Sequence, residues 1–597
     1  MAPVPSPPSW PRCGHGADAA DPVGCIGRSV DPHTPCLAHL ADSDRAAYFA
    51  TLSAGSDVYH QGTTFDEALL RRLLDAVRDQ SSGDPSFGYA RFGSATFNGI
   101  ARFDSATFTG GAWFDSATFT GIARFDSATF NGDAGFRSAR FTGDAGFEEA
   151  TFNGYAGWEL ATFNGFAGFD SATFNGYGGW ELATFNGDAW FGSATFNASA
   201  LFESATFNGN AGFDSAMFKG DVEFESARFT EAASLGPLVC AGHVDMSGAM
   251  FDSPVTIAVA ARRLVCRRTR WSSTAALQLR YATVDFSHAV FEYPLSISAE
   301  TEPFVLPSGT TVDESVLDGG AGPAVRIASL RGVDAAHLVL ANIDLSRCLL
   351  TGTVHLDQIR LEGSCTFAEV PSRPWRPWRP MTFTPRRTLA EEQHWRAGHR
   401  SPTRGWDVSV CGAPDARPAS LAPVYRQLRK SFEDSKNEPG AADFYYGEME
   451  MRRHDPQTPS AERGLLHAYW ALSGYGLRAL RAMSWLLLST AITLVVMMLW
   501  GLPKDDPKPE STGTVTGQDV RLITDTPKPV NPDSAYVDRL SSDRFEKSLR
   551  VVVNSVIFRS SGQNLTTTGT YTEMVSRLAE PVLLGLAVLA VRGRVKR

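Results

Sequence analysis

Residues 90–103 read Ala-Arg-Phe-Gly-Ser-Ala-Thr-Phe-Asn-Gly-Ile-Ala-Arg-Phe, and their spacing decides the fold. An aromatic ring stands at 92, 97 and 103, with Ala two residues before each. The same alternation of five and six steps runs on through Phe108, Phe130, Phe152, Trp158, Phe163, Trp180, Phe185 and Phe207 to Phe229 without a slip. Ala precedes every centre except where Gly178 and Val222 replace it. The unit is therefore an eleven-residue module, and a fixed period over this length marks a solenoid.

A helix with an eleven-residue repeat is the competing reading. It fails because steps of five and six throw successive aromatics to opposite faces at about 100° per residue. The modules are also rich in Gly, which costs about 1 kcal/mol at each helical position. A strand accommodates the pattern. In Ala95-Thr96-Phe97 the first and third residues share one side and Thr96 faces the other. Asn98-Gly99, Thr109-Gly110 and Asn131-Gly132 then read as turns in which glycine takes the positive φ.

Strands this short, separated by turns, suit a coil that climbs by one strand spacing per circuit. The modules resemble the pentapeptide-repeat family, whose unit is Ala, a polar residue, Leu or Phe, and two small or polar residues. The resemblance implies a mainly β fold: a right-handed, four-sided β-helix with Phe and Trp stacked inside and Ala at the corners. Every second face carries one residue beyond the family's five-residue step. About 22 residues per coil are expected, with small bulges at the extra residue.

At 597 residues the chain is long enough for several domains. Its net charge of −10 is concentrated in the modules, which leaves the remainder close to neutral. No apolar stretch follows Met1, so no secretory signal is expected. Eight scattered Cys do not form a disulfide framework and are expected to be reduced.

Residues 1–40 hold Cys13, Cys25, Cys36 and His39 among Gly and Pro, a ligand set suited to one structural Zn²⁺, although the spacing matches no standard finger. The alternative is a loop with incidental thiols. Residues 41–83 read as a helical cap: Thr64-Phe-Asp-Glu67 has the pattern of a capping box, and Leu69, Leu70, Leu73, Leu74 and Val77 share one face. Such a cap would cover the open edge of a solenoid spanning 84–232.

Beyond Thr230 the aromatic code fades, but Phe286 and Phe291 keep the five-step. Leu340, Leu345, Leu350, Leu356, Leu361 and Phe367 recover the alternation, so 233–370 reads as a degenerate continuation. Cys348 and Cys365 fall in it as core residues. Residues 371–420 alternate Pro with Arg and Trp and read as an extended linker. Arg with Trp could also meet nucleic acid or anionic lipid. In 421–460, Tyr425, Leu428 and Phe432 keep helical spacing, Asn437-Glu438-Pro439-Gly440 interrupts it, and Phe444-Tyr445-Tyr446 resumes. This segment resembles a single tetratricopeptide-like helix pair.

Residues 461–597 carry two candidate spans. Met483–Leu502 has no charge over a length that crosses a bilayer, with Trp485 and Trp500 near its ends. The second, 574–591, contains Arg577 and Glu580, which must lie near headgroups or pair within protein. Arg478 and Arg481 precede the first span, and Arg592, Arg594, Lys596 and Arg597 follow the second, which predicts a cell-membrane protein with both termini cytosolic. Between the spans, Phe545, Leu549, Val552, Val553 and Val556 share a helical face. The layout resembles a two-span cation-channel pore, but Arg559-Ser-Ser-Gly562 stands where the potassium filter would be.

No catalytic or nucleotide-binding signature is present, so an enzyme is not expected. Asp104, Asp115 and Asp126 recur with the module and read as an exterior ladder rather than a catalytic pair. The leading expectation is a membrane-anchored cytosolic scaffold that binds a protein partner. The next is a channel-like membrane protein with the solenoid as its regulatory domain. A third, an acidic rod that mimics DNA toward a topoisomerase, is opposed by the membrane tether and the modest charge, so nucleic acid is not an expected partner. The sequence sets no oligomeric state.

Overall fold

A computed structural model describes residues 8–18, 21–319, 322–371, 385–398, 406, 416–557 and 559–595. The chain divides into two compact units, 1–370 with 387–416, and 371–386 with 417–597.

The first unit is a β-solenoid. Each regular coil has four two-residue strands, as in Ala112–Trp113, Thr118–Phe119, Ala123–Arg124 and Thr129–Phe130. Every strand pairs in parallel with the strand one coil on: Thr129 and Phe130 face Thr151 and Phe152. That register is the expected 22-residue step, and the coil has the expected four sides. Phe92, Phe97, Phe103, Phe108, Phe130, Phe152, Trp158, Phe163, Trp180, Phe185, Phe207 and Phe229 are all buried. They stack in columns: Phe108 on Phe130 at 4.7 Å, Phe130 on Phe152 at 4.8 Å, and Trp158 on Trp180 at 5.0 Å. Rings from neighbouring faces meet edge to face, as do Phe152 and Trp158 at 5.3 Å, so both favoured aromatic geometries fill the interior.

The turns differ from expectation. Positive φ falls on the residue before alternate Ala corners, from Ser94 through Ser105 and Ser116 to Ser226, and includes Leu160 and Leu182. Gly99 adopts positive φ, whereas Gly110 and Gly132 do not. Those glycines are required for space. A Cβ at Gly132 would lie 2.7 Å from the Gly110 carbonyl carbon, and one at Gly165 equally close to that of Gly143. Successive coils touch backbone to backbone along these corners, with Ala198 the one larger member of the series between Gly99 and Gly220. Beside them the asparagines form ladders: the Asn175 amide donates to Asn153 Oδ1 (2.7 Å) and that of Asn197 to Asn175 Oδ1 (2.7 Å).

The solenoid begins earlier than 84. Ser56–Tyr59 pairs with Ser86–Arg91, and Thr64–Phe65 pairs with Thr96–Phe97. Thr64 is therefore a strand residue and the capping box does not form. The helix Glu67–Ala76 (α2) is capped by Asp66, whose Oδ1 accepts from the Leu69 amide (2.7 Å), and it buries Leu69, Leu70, Leu73 and Leu74. A preceding helix, α1, spans Asp42–Ala50.

Past Phe251 the coil shortens. Val255 faces Ala275 and Ala275 faces Leu295, a twenty-residue step. Strands lengthen to Ser234–Asp245 and Val255–Val265, and aliphatic residues replace most rings. Phe286, Phe291, Leu340, Leu345, Leu350, Leu356 and Phe367 are buried, while Leu361 is half-buried. The 371–420 stretch is not one linker. Residues 372–384 and most of 399–415 lie outside the described residues, including the Pro-Arg-Trp run. Arg387–Thr388 pairs with Ala368–Glu369, and helix α3 (Ala390–Ala397) follows. Glu391 of α3 accepts from the backbone amides of Leu350 (2.5 Å) and Thr351 (2.8 Å), so a buried carboxylate closes donors near this end of the solenoid.

In the second unit, α4 (Pro418–Asp434) and α5 (Glu438–His454) pack as a hairpin through Phe432 and Phe444 at 4.9 Å. Pro439 does not interrupt α5. It sits in the first turn, where its missing N–H is harmless. Helix α6 spans Ser460–Ser473, and α7 spans Ala479–Val496 and runs into a π-helical turn at Met497–Gly501. Helix α8 covers Ser542–Val556, and α9 runs from Thr567 to Val595, longer than the expected 574–591. Glu580 lies on the buried side of α9, where its Oε1 accepts from Thr493 Oγ1 of α7 (2.9 Å). Glu580 is thus paired within protein, one of the two placements expected for it. The buried side of α8 is Ser548, Val551, Val552 and Ser555, not the face read from the sequence; Phe545, Leu549 and Val553 are exposed. Ser576 Oγ of α9 donates to Ser555 Oγ (2.9 Å), a close approach that small residues permit between helices.

Candidate functional site

The four residues singled out near the N-terminus converge. A short antiparallel contact joins Arg12 to Arg28: the Cys13 amide donates to the Gly27 carbonyl (2.7 Å) and the Gly14 amide to that of Cys25 (2.9 Å). A second contact pairs Ser29 with Cys36. Cys36 begins a turn in which the His39 amide donates to the Cys36 carbonyl (2.9 Å). The result places one ligand atom from each of Cys13, Cys25, Cys36 and His39 within 4.8 Å of the others. Cys25 Sγ lies 3.8 Å from Cys36 Sγ, and His39 Nδ1 lies 3.5 Å from Cys13 Sγ and 3.4 Å from Cys36 Sγ.

Burial pushes the Cys36 thiol up to about 12 and raises that of Cys25, while desolvation lowers His39. The Gly27 amide donates to Cys25 Sγ (3.4 Å), and a Cβ at Gly27 would meet Cys36 Sγ at 2.9 Å. The cradle thus needs glycine at that position.

A second feature was not among the residues singled out from the sequence. Residues 153–163 and 175–185 substitute Trp-Glu-Leu for the usual Phe-Asp-Ser and add a Tyr before the strand. The structure sets the two modules on adjacent coils, Ala156 beside Gly178. Tyr155 (37% exposed), Tyr177 (58%), Leu160 (45%) and Leu182 (55%) then flank one face. The Tyr155 ring lies over Gly157 and reaches Gly179, positions where a Cβ would collide with it. Departure of two modules 22 residues apart from their neighbours was the available signal.

The recurring carboxylates bond along the rod. Asp115 Oδ1 accepts from the Arg137 amide (3.1 Å) and Asp126 Oδ1 from the Glu148 amide (3.2 Å). Partial burial raises both above the usual carboxylate range. They act as backbone acceptors between coils.

This architecture defines a β-solenoid protein with two helices, Ala479–Gly501 and Thr567–Arg592, long and apolar enough to cross a membrane. The family model for pentapeptide repeats (nine copies) matches residues 84–129, 114–159 and 181–228, so these residues carry pentapeptide repeats. No curated protein and no solved structure matches the chain.

Proposed function

We propose that this protein is a membrane-anchored, non-catalytic scaffold whose solenoid holds a protein partner on the cytosolic side. The observation that carries the reading is the cluster of four exposed apolar side chains, Tyr155, Tyr177, Leu160 and Leu182, on two consecutive coils. Exposed aromatic and aliphatic groups grouped on a rigid face favour association with protein. The tether is supported by α7 and α9. Leu480, Leu487, Ile492, Leu578, Val582 and Leu589 are exposed, a surface suited to lipid.

A photo-reactive residue at Tyr177 or Leu182 of the full-length protein in cells should yield a protein adduct of discrete mass. The same residue at Arg102, exposed on another face, should not. Absence of adducts at both patch positions removes the scaffold reading. Topology is tested separately. Ser511→Cys, in the exposed strand Glu510–Thr516, should react with an impermeant reagent in intact cells while a C-terminal Cys is protected.

A second reading, a channel-like pore, draws on α8, which packs against α9 and anchors Arg544 on the carbonyls of Met498 (3.0 Å) and Leu502 (2.9 Å) after α7. Ion flux across liposomes containing the purified protein would favour it; the scaffold reading expects none.

A further inference from the structure

We propose that Cys13, Cys25, Cys36 and His39 bind one Zn²⁺ that locks the N-terminal segment over the first coil of the solenoid. A tetrahedral zinc with bonds of about 2.3 Å to sulfur and about 2.0–2.1 Å to nitrogen has S···S edges near 3.8 Å and S···N edges near 3.6 Å. The Cys25–Cys36 separation is 3.8 Å, and His39 Nδ1 stands 3.5 Å from Cys13 Sγ and 3.4 Å from Cys36 Sγ. Three of the six edges therefore already match a zinc tetrahedron, and every remaining pair lies within 4.8 Å, close enough for a bound ion to draw the four ligands in. Three thiolates and an imidazole select a soft, tetrahedral ion over Mg²⁺ or Ca²⁺, which take oxygen ligands. Four protein ligands leave no open position for water or substrate, so the ion is structural.

The consequence follows from what the ligand loop touches. Arg28, three residues after Cys25, donates its amide to the Gln61 carbonyl (2.8 Å), and Ile26 O lies only 2.7 Å from where a Cβ on Gly62 would stand. Gly62 in turn donates to the Gly93 carbonyl (2.8 Å) of the next coil. The segment thus covers backbone groups at the solenoid's starting edge, which otherwise invites pairing with another chain. It has little apolar core of its own: among 8–40, the buried apolar residues are Val23, Val30, Cys36, Leu37 and Leu40. A cross-linking ion supplies what so small a core does not.

The test uses the full-length protein purified in detergent without chelator. Elemental analysis should find about one Zn²⁺ per chain, and Co²⁺ exchanged into the site should show the absorption of a tetrahedral thiolate complex. Cys36→Ser and Cys13→Ser should each lose the metal, whereas Cys365→Ser, in the distant continuation, should keep it. Limited proteolysis should then cut the variants before residue 41 with the solenoid intact, which separates loss of metal from loss of fold. Metal-free protein that stays metal-free with added Zn²⁺ and has three alkylatable thiols in the segment overturns the proposal. A disulfide between Cys25 and Cys36 in protein purified under reducing conditions does the same.

Discussion

The solenoid has two stretches that solve one problem differently. From Ala90 to Phe251 each coil repeats at 22 residues, and each position meets its own kind above and below: ring on ring inside, Asn on Asn and glycine corner on glycine corner outside. From Val255 on the step is twenty residues or irregular, the strands are longer, aliphatic side chains fill the interior, and an inserted loop packs on the outer face. Phe304, Val312 and Leu317 of that loop pack on Val239, Ala258 and Ala260, beside a buried Arg280–Glu314 ion pair at 2.8 Å. In the first stretch an error is felt by identical neighbours on both sides. In the second, each position answers to its own surroundings.

The largest test places a charge in the regular stack. Phe152 sits between Phe130 and Phe174 at 4.8 and 4.9 Å with no polar partner. Phe152→Asp should cost about 5 kcal/mol or more and abolish cooperative melting of the first unit. Wild-type melting of that variant would remove the ring from the interior.

Glycine separates the stretches next. Gly165→Ala drives a Cβ into the backbone of Gly143 at 2.7 Å and should cost about 3 kcal/mol. Gly309→Ala, in the inserted loop, meets nothing within 4 Å and faces only the strain of φ +83°, about 1 kcal/mol. Equal losses in denaturant melts would mean the corner columns are not in contact.

The capped end adds a pH dependence. His60 is buried, with its ring 5.9 Å from Phe65 and its Nε2 3.0 Å from Tyr48 Oη. Desolvation, assisted by nearby Arg28, lowers it to about 3. It is neutral in the fold and takes a proton below about 6.5 once unfolded, so stability falls with pH across that window. Between pH 7 and pH 5 the loss should be about 2 kcal/mol, and His60→Gln should flatten that part of the profile. An unchanged slope would place the dependence elsewhere.

The smallest effect is in the ladders. Asn175→Ala removes bonds to Asn153 and Asn197 and should cost about 1 kcal/mol, the ordinary worth of an exposed side-chain hydrogen bond. A loss as large as that of Gly165→Ala would make the ladder, not the corner, the chief support.

The sequence by itself determined the period, the identity of the interior residues and the presence of the two apolar helices. It did so because each depends on spacing along one stretch of chain. It also named Cys13, Cys25, Cys36 and His39, from residue type and the short Cys-to-His spacing. What the tertiary structure decided was everything that depends on the next coil or the next helix. It brought those four ligand atoms together, gave the positive φ to Ser94 and its equivalents, and reserved the glycines for backbone contact. It also turned Ser548 and Ser555 of α8 inward and set Tyr155 beside Tyr177. A residue's spacing says which side it faces; what stands opposite is fixed only when the chain returns 22 residues later.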